Sequence, residues 1–142
     1  VSEWGDNSDG LIIADHECNE YYTAKRYNAL AHFSKFVPVG SKVISNEKDV
    51  NDRVAWKIKN QMGFVILNKT NCASFLTPDG SIVVVIVNDD AGCTFNFEGI
   101  SGRDNLKIYT TNDRYDLKLT YDGEYKQEVE IPGLSITTLI FS

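Results

Sequence analysis

The stretch Ser81-Ile82-Val83-Val84-Val85-Ile86-Val87-Asn88 decides the fold class of this chain. Its six consecutive β-branched residues favour a strand and fall far short of the ~20 apolar residues that a membrane helix needs. Because the run does not alternate between apolar and polar residues, both faces of the strand are predicted to be buried. We expect its odd-numbered residues on one face and its even-numbered residues on the other. A second sheet would cover one face, and a helix or a neighbouring domain would cover the other.

Before and after this strand, the sequence contains short segments in which apolar and polar residues alternate. Turn residues such as Pro78-Asp79-Gly80, Asp122-Gly123 and Pro132-Gly133 separate them. Many short strands at close spacing are typical of a sandwich, so the fold class is predicted to be mainly β, an antiparallel β-sandwich with one N-terminal α-helix. The predicted strands are 42–45, 53–59, 64–68, 73–77, 81–88, 94–98, 106–110, 116–121, 125–131 and 136–141.

One hairpin is predicted in register, between segments 116–121 and 125–131. Their apolar side chains fall at odd positions, and a three-residue loop, Asp122-Gly123-Glu124, keeps those side chains on one face. That loop places Tyr121 opposite Tyr125. We expect Gly123 or a bulge to take up the left-handed backbone conformation.

The helix is predicted before the strands, where apolar residues follow a helical spacing. Asn19 or Thr23 is expected to cap its start, and Pro38 and Gly40 to end it. The positions of the helical stripe are Tyr22, Arg26, Leu30, Phe33 and Val37.

The composition is that of a globular domain with an acidic surface. The chain has 142 residues and a mass of 15.9 kDa; Lys and Arg number 14 and Asp and Glu number 20, giving a net charge of −6 and a pI near 4.8. An acidic chain lacks the basic surface that nucleic acids and anionic membranes require, so neither is expected as a partner. Because the chain begins at Val1 and its single methionine is Met62, we expect a processed chain or a piece of a longer one.

No catalytic residue, metal site or cofactor is predicted. Cys18, Cys72 and Cys93 lack metal-ligand spacing and are expected to be buried thiols. Glycoside hydrolysis needs two carboxylates, about 5–5.5 Å apart in retaining enzymes. Nothing in the sequence identifies a partner for Glu3.

Exposed aromatic rings could stack on sugar rings. Aromatic residues on strands are more often part of the core, so both interpretations stay open for each candidate. The candidates for carbohydrate contact are Trp4, Trp56, Tyr115, Tyr121 and Tyr125.

Three stretches of the chain, taken in order, resemble glycoside hydrolase family 30, which includes glucosylceramidases, glucuronoxylanases and endo-β-1,6-glycanases. Residues 27–41 (YNALAHFSKFVPVGS) look like the last barrel helix of that family and the exit from it. Residues 73–88 (ASFLTPDGSIVVVIVN) resemble the signature of its C-terminal β-domain, and residues 134–139 (LSITTL) resemble its closing strand.

The resemblance implies a (β/α) barrel that carries the chemistry and a β-sandwich fused to its side. Both catalytic glutamates of the family sit on earlier barrel strands, so they would lie outside this chain. Residues 1–39 would be the last strand, loop and helix of the catalytic barrel, with Trp4 near its substrate end. Residues 40–142 would be the C-terminal β-sandwich domain.

The function implied is that of the non-catalytic C-terminal part of a secreted, retaining O-glycosyl hydrolase. Its substrates would be β-linked glycans such as xylan, β-1,6-glycan or glucosylceramide-like molecules. The sandwich would support its partner, the barrel, and could contact polysaccharide. The alternatives are an independent carbohydrate-binding module and an immunoglobulin-like protein-interaction domain. Because the two aromatic flanks of the helix cannot both face one sheet, either self-association through helix 20–37 or disorder of residues 1–19 is also expected.

Overall fold

The computed structural model describes residues 10–15, 17–44, 56–60, 63–67, 70–100 and 102–142, and only the backbone of 56–60 and 63–67. These residues form one helix and twelve strands. All ten predicted strands are confirmed, each within a few residues of its expected bounds. In chain order the elements are β1 (Ile12–Asp15), β2 (Glu20–Thr23), α1 (Lys25–Ser34), β3 (Lys42–Ile44), β4 (Trp56–Asn60), β5 (Gly63–Leu67), β6 (Thr70–Leu76), β7 (Ile82–Asn88), β8 (Cys93–Asn96), β9 (Asn105–Thr111), β10 (Lys118–Glu124), β11 (Glu128–Ile131) and β12 (Ser135–Phe141).

The main sheet has six antiparallel strands in the order β10-β9-β12-β7-β6-β3. Strand β7 is therefore central, with β12 on one side and β6 on the other. Val85 lies opposite Thr138 on β12 and opposite Ala73 on β6. Pairing on both edges satisfies the backbone of the most apolar strand, which is why this strand can be buried.

The even-numbered face of β7 forms the sandwich core. Val84 and Ile86 are buried in one cluster with Leu139 and Phe141 of β12. The second layer is the two-stranded sheet β11-β8, and its residue Ile131 belongs to the same cluster. The predicted antiparallel sandwich is confirmed.

The odd-numbered face of β7 lies on the side of the sheet that α1 covers. Val83 and Val85 are almost fully buried there. Thr138, the register partner of Val85, is hydrogen-bonded to His32 of the helix. The expectation that a helix covers this face is therefore confirmed.

The expected hairpin between segments 116–121 and 125–131 is wrong. Strand β10 pairs with β9, whereas β11 pairs with β8 in the second layer. Asp122 and Gly123 lie inside β10, opposite Lys107 and Leu106, and Gly123 does not have a positive φ. The alternation of side chains fixes which face of a strand is buried, but it does not fix which strand is its partner.

Helix α1 is shorter than the predicted stripe. Tyr22 lies in β2, and β1 and β2, which were not predicted, form a hairpin. The residue at the helix start is Ala24, whose backbone is extended and whose side chain provides no cap. The expected caps, Asn19 and Thr23, instead lie in the β1–β2 turn and in β2. The helix ends at Ser34, before the expected stop at Pro38 and Gly40, and its C-cap is Lys35. Gly40 has a φ of +92° in the turn that leads to β3.

Two turns meet at one end of the sandwich: residues 89–92 between β7 and β8, and residues 132–134 between β11 and β12. The buried Asn88 Nδ2 donates hydrogen bonds to Ala91 O (3.0 Å) and to Pro132 O (2.9 Å). A Cβ atom at Gly133 would lie 2.5 Å from Asp90 O. Only glycine fits between these two backbones.

Within the described ranges, no helix is long and apolar enough to span a membrane.

Candidate functional site

The inner side of α1 is fixed to the sheet by a buried histidine. His32 Nδ1 lies 2.7 Å from Thr138 Oγ1, and His32 Nε2 lies 2.8 Å from Thr111 Oγ1. Thr111 Oγ1 also accepts a hydrogen bond of 2.9 Å from Leu117 N–H. A single side chain of α1 thus bonds to two strands, and through Thr111 it reaches the loop that leads to β10.

These contacts suit a neutral His32 ring in either tautomer. One ring nitrogen donates to a threonine hydroxyl and the other accepts from the second threonine hydroxyl, because each hydroxyl can donate or accept. Burial lowers the pKa of His32 from 6.5 to about 4, so the ring is neutral at pH 7.

Aromatic contacts hold the rest of the inner side of α1. Phe36, just after the helix, packs on Tyr109 of β9, and Phe33 meets Phe75 of β6 edge to face with centroids 6.3 Å apart. Lys35 Nζ lies 5.5 Å and 5.8 Å from the Phe36 and Tyr109 ring centroids. The sequence did not predict these contacts. The available signal was that His32 and Phe36 stand four residues apart, and so lie on one side of the helix.

The outer side of the same helix is apolar and exposed. Leu30 is 54% exposed, Tyr27 and Phe33 are exposed as well, and Tyr21 on the neighbouring strand β2 is 78% exposed. A cluster of large apolar side chains on adjacent elements is typical of an interaction surface rather than of scattered exposed residues. We call it the outer helix surface, made of Tyr27 and Leu30, with Phe33, which also contacts Phe75, at its border with the inner side.

Two of the predicted carbohydrate-contact residues lie largely outside the described part of the chain. Trp4 is outside it altogether. Trp56 is in β4 opposite Leu67, and only its backbone is described.

The other three predicted contact residues lie at different places along β10. Tyr115 is in the loop before this strand and Tyr125 follows it, so the seven residues of β10, about 20 Å long at ~3.3 Å per residue, lie between them. Tyr125 belongs largely to the core, because its ring packs on Phe141 and its hydroxyl donates to Phe97 O (2.8 Å). They therefore do not form one continuous platform.

Tyr115 and Tyr121 each have one ring face occupied by a lysine. Lys118 Nζ lies 4.6 Å from the Tyr115 ring centroid, and Lys126 Nζ lies 3.8 Å from that of Tyr121. The Tyr121 hydroxyl donates to Glu124 O (2.9 Å). Stacking on a sugar would use the opposite ring face.

Asp79 stabilises the turn between β6 and β7. Its carboxylate accepts hydrogen bonds from the Thr77 hydroxyl and from Ser81 N–H, and the bond from Thr77 is the larger cause that lowers its pKa. Arg103 closes the same turn by donating from Nε and Nη2 to Gly80 O, at 3.1 and 2.6 Å. A small polar crevice of about 290 Å³ lies beside it.

A larger open groove of about 570 Å³ lies at the start of α1. Lys25 borders it and makes an ion pair of 2.7 Å with Asp116. Asp89 and Asp113 also line the groove, and its apolar part includes Leu134. In the residues that the structure describes, no three His, Cys, Asp or Glu side chains form a group able to hold a metal ion.

The three cysteines are thiols. Cys72 and Cys93 are half-buried and pack against the core, whereas Cys18 is exposed, contrary to the expectation of burial. Cys18 lies in the β1–β2 turn, which faces solvent.

Several solved structures share this fold at low identity. A GH30 endoxylanase from Clostridium papyrosolvens C71 is 20% identical over 84% of this chain, with a TM-score of 0.60, and the chain covers 28% of that structure. The catalytic domain of GH30 xylanase C from Talaromyces cellulolyticus is 19% identical over 94% of this chain, with a TM-score of 0.65 and 27% of its own length covered. A conserved exported protein from Bacteroides fragilis is 21% identical over 85% of this chain, with a TM-score of 0.64 and 22% covered.

The chain therefore spans about a quarter of the length of these structures. Among curated proteins, none matches it. The family model of the glycosyl hydrolase family 30 beta sandwich domain matches residues 39–139. That match runs from just before β3 into β12, across the sandwich described above. Since it covers well over half of the sequence, the chain belongs to the glycosyl hydrolase family 30 beta sandwich domain family.

Proposed function

We propose that this chain is the non-catalytic C-terminal part of a family 30 glycoside hydrolase, and that it supports the catalytic barrel of that enzyme. Residues 1–39 supply the last strand, loop and helix of the barrel, and residues 40–142 are the sandwich domain. The parent is a secreted enzyme that hydrolyses β-linked glycans.

The observation that carries this proposal is the two-sided character of α1. Its inner side is fixed to the sandwich through His32 and Phe36. Its outer helix surface exposes large apolar side chains to solvent. In a barrel, the last helix packs on neighbouring helices and strands, and this would bury that surface.

The length of the similar structures also supports a barrel as the partner of the outer helix surface. The chain covers only about a quarter of the GH30 structures that share its fold, so a large body of protein is available there to pack on it. A barrel presents the apolar outer ring that an exposed helix face would complete.

The distribution of carboxylates supports a non-catalytic role. Asp79 is engaged in a turn, and Asp116 is paired with Lys25. A retaining glycosidase needs two carboxylates facing one sugar across a binding site. We therefore assign the hydrolytic step to residues outside this chain.

The similar structures support the proposed substrate class and the secretion of the parent. Two of them are GH30 xylanases, and one is an exported protein. We extend both properties to the parent of this chain as part of the proposal.

The first test is to read the coding sequence upstream of Val1. We expect a (β/α) barrel that carries two glutamates at the ends of strands. A reading frame that begins just before Val1, or one that encodes an unrelated domain, would overturn the proposal.

The second test compares Leu30→Glu in the isolated chain and in the full-length parent. The expected result is a Tm lowered by several degrees in the parent and almost unchanged in the isolated chain, where Leu30 is 54% exposed. Thr94→Gln, at an exposed position of β8 opposite Glu130, is the control and should leave both unchanged. Equal effects in the two contexts would argue against docking through this surface.

Self-association through the same surface is the rival explanation. Sedimentation of the isolated chain distinguishes self-association from docking on the barrel. A dimer that dissociates in the Leu30→Glu variant would show that a second copy binds this surface. An independent carbohydrate-binding module remains a second candidate, which rests on the partly exposed side chains of Tyr115 and Tyr121.

A further inference from the structure

We propose that His32 is an acid-sensitive latch, and that protonation of its ring releases α1 from the sheet while the sandwich stays folded. This inference concerns the chain itself and does not rest on the proposed function. It starts from the His32 site, where one ring is bonded on both sides by buried threonine hydroxyls.

The hydrogen bonds of this site match the donor and acceptor pattern of the neutral ring. A neutral imidazole donates from one nitrogen and accepts at the other, and both nitrogens of His32 face a threonine hydroxyl. A protonated ring donates from both nitrogens. The threonine hydroxyl that donates to the neutral ring must then turn its proton away, and that proton loses the ring as its acceptor. Protonation thus takes the acceptor from one buried hydroxyl proton and places a charge in the same site.

The strands beneath the helix offer no negative charge to a protonated His32. Strands β7 and β12 contain no ionisable side chain, and the only one in β6 is Cys72. On β9 the ionisable residues on the helix side are Lys107 and Tyr109, and Lys107 is 3.6 Å from Asp122. A buried cation without a carboxylate partner is strongly disfavoured.

The charged groups on the helix and the adjacent loop do not compensate either. Lys35, one turn after His32, is a cation that lies over the Phe36 and Tyr109 rings. Lys25, at the start of α1, pairs with the exposed Asp116 of the loop. The remaining charged groups on these two segments are Arg26, Asp113 and Arg114, at the start of the helix and in the exposed loop. On β1 and β2, the strands next to the helix, the carboxylates are Asp15 and Glu20, both at the turn end of that hairpin.

The contacts that resist release lie on the helix side of the sheet. Beyond His32, they include the cover over Val83 and Val85 and the Phe36–Tyr109 and Phe33–Phe75 pairs. The exposed Lys25 also pairs with Asp116 and donates to Tyr115 O. The sandwich core lies on the other face of the sheet and does not include the helix. Release of α1 therefore leaves the core cluster intact.

The expected change in the opening equilibrium of α1 follows from the pKa of His32 in the closed and in the released state. Burial lowers the pKa of His32 to about 4, whereas the released ring returns to about 6.5. Protons therefore favour the released helix throughout that window. We expect the opening equilibrium of α1 to rise on the order of 200-fold between about pH 7.5 and about pH 3.5.

Hydrogen exchange of the whole chain, followed by mass spectrometry across this pH range, tests the proposal. After correction for intrinsic exchange rates, amides of α1 are expected to lose protection while those of β7 and β12 keep it. His32→Gln, which cannot be protonated, should show no such loss. Simultaneous loss in α1 and in the central strands, or the same loss in His32→Gln, would overturn the proposal.

A second measurement on the native sequence does not depend on the variant folding. NMR titration of the two histidines, assigned with His16→Gln, follows the His32 ring directly. The expected result is a midpoint well below 6 that coincides with the loss of α1 protection. A midpoint near 6.5 with α1 still protected would show that protonation does not release the helix.

Discussion

Phe36 and Tyr109 pack with their ring centroids 4.4 Å apart and their planes inclined by 37°. This is the closest of the described aromatic pairs, and it joins the end of the helical segment to β9. Because Phe36 follows the last turn of α1, the contact holds the point where the chain leaves the helix for the sandwich.

We predict that Phe36→Ala lowers the free energy of unfolding by about 2 kcal/mol, because a half-buried ring and its partner contact are lost. Urea denaturation measures the change. Tyr27→Ala, on the exposed side of the same helix, should change it by less than about 0.5 kcal/mol. Equal losses would show that the inner and outer sides of α1 are not distinguished energetically.

We predict that Val85→Asp unfolds the domain. Val85 is 1% exposed in the central strand, and a carboxylate there has neither water nor a cation. The same substitution at Val43, which is 77% exposed on the edge strand β3, should leave the fold intact. Circular dichroism and thermal melting compare the two variants; a cooperative melt of Val85→Asp would contradict the buried position.

We predict that the free energy of unfolding varies with pH because His32 is protonated in the unfolded chain. Its pKa is lowered by burial to about 4 in the folded chain, so between pH 6.5 and 4 the unfolded chain binds more protons. The free energy of unfolding should therefore fall as the pH drops through this window, by up to about 3 kcal/mol, and stay constant above it. The measured quantity is the difference between the native chain and His32→Gln at each pH, since carboxyl groups titrate in both. A difference that does not vary with pH would refute the assignment.

We predict that the isolated chain does not hydrolyse xylan, β-1,6-glucan or aryl glycosides, because Glu3 has no identified carboxylate partner. Release of reducing sugar or of the aryl group measures this. Turnover that disappears in Glu3→Gln would contradict the prediction.

For glycan contact, we predict that Tyr121→Ala weakens retardation of the chain in a polysaccharide affinity gel, whereas Tyr121→Phe, which keeps the ring, does not. Binding by stacking depends on the ring rather than on the hydroxyl. Unfolding midpoints of both variants serve as the control for structural effects. Retardation that is equal in all three proteins would remove Tyr121 from the predicted contact residues.

The positions of the strands were predictable because they depend on local signals. The unbroken run 82–87 required burial on both faces, and the turns at 78–80 and 132–133 marked where strands end. The pairing of β10 was not predictable, because a bulge between Leu119 and Tyr121 and the positive φ of Leu117 arise from its contact with β9.

The inner helix contacts could not be predicted for a different reason. His32 and Thr138 are 106 residues apart in the sequence, and a lone histidine on a helix carries no sign of its partner. The one indication was a pair of threonines, Thr137 and Thr138, within an otherwise apolar closing strand. The helix start was predicted too early because Tyr22, in β2, happens to continue the helical spacing.

The two turns joined by Asn88 also restrict how this domain can change over evolutionary time. With Gly133 seated against Asp90 O, neither turn can gain a residue or a side chain unless the other one moves with it. Gly99 and Gly102 are constrained in another way, because a Cβ atom at either would meet nothing within 4 Å and only their positive φ values of +79° and +76° favour glycine. The end of the sandwich held by Asn88 is therefore limited by the contact between two backbones, and substitutions there have to be accommodated by both turns together.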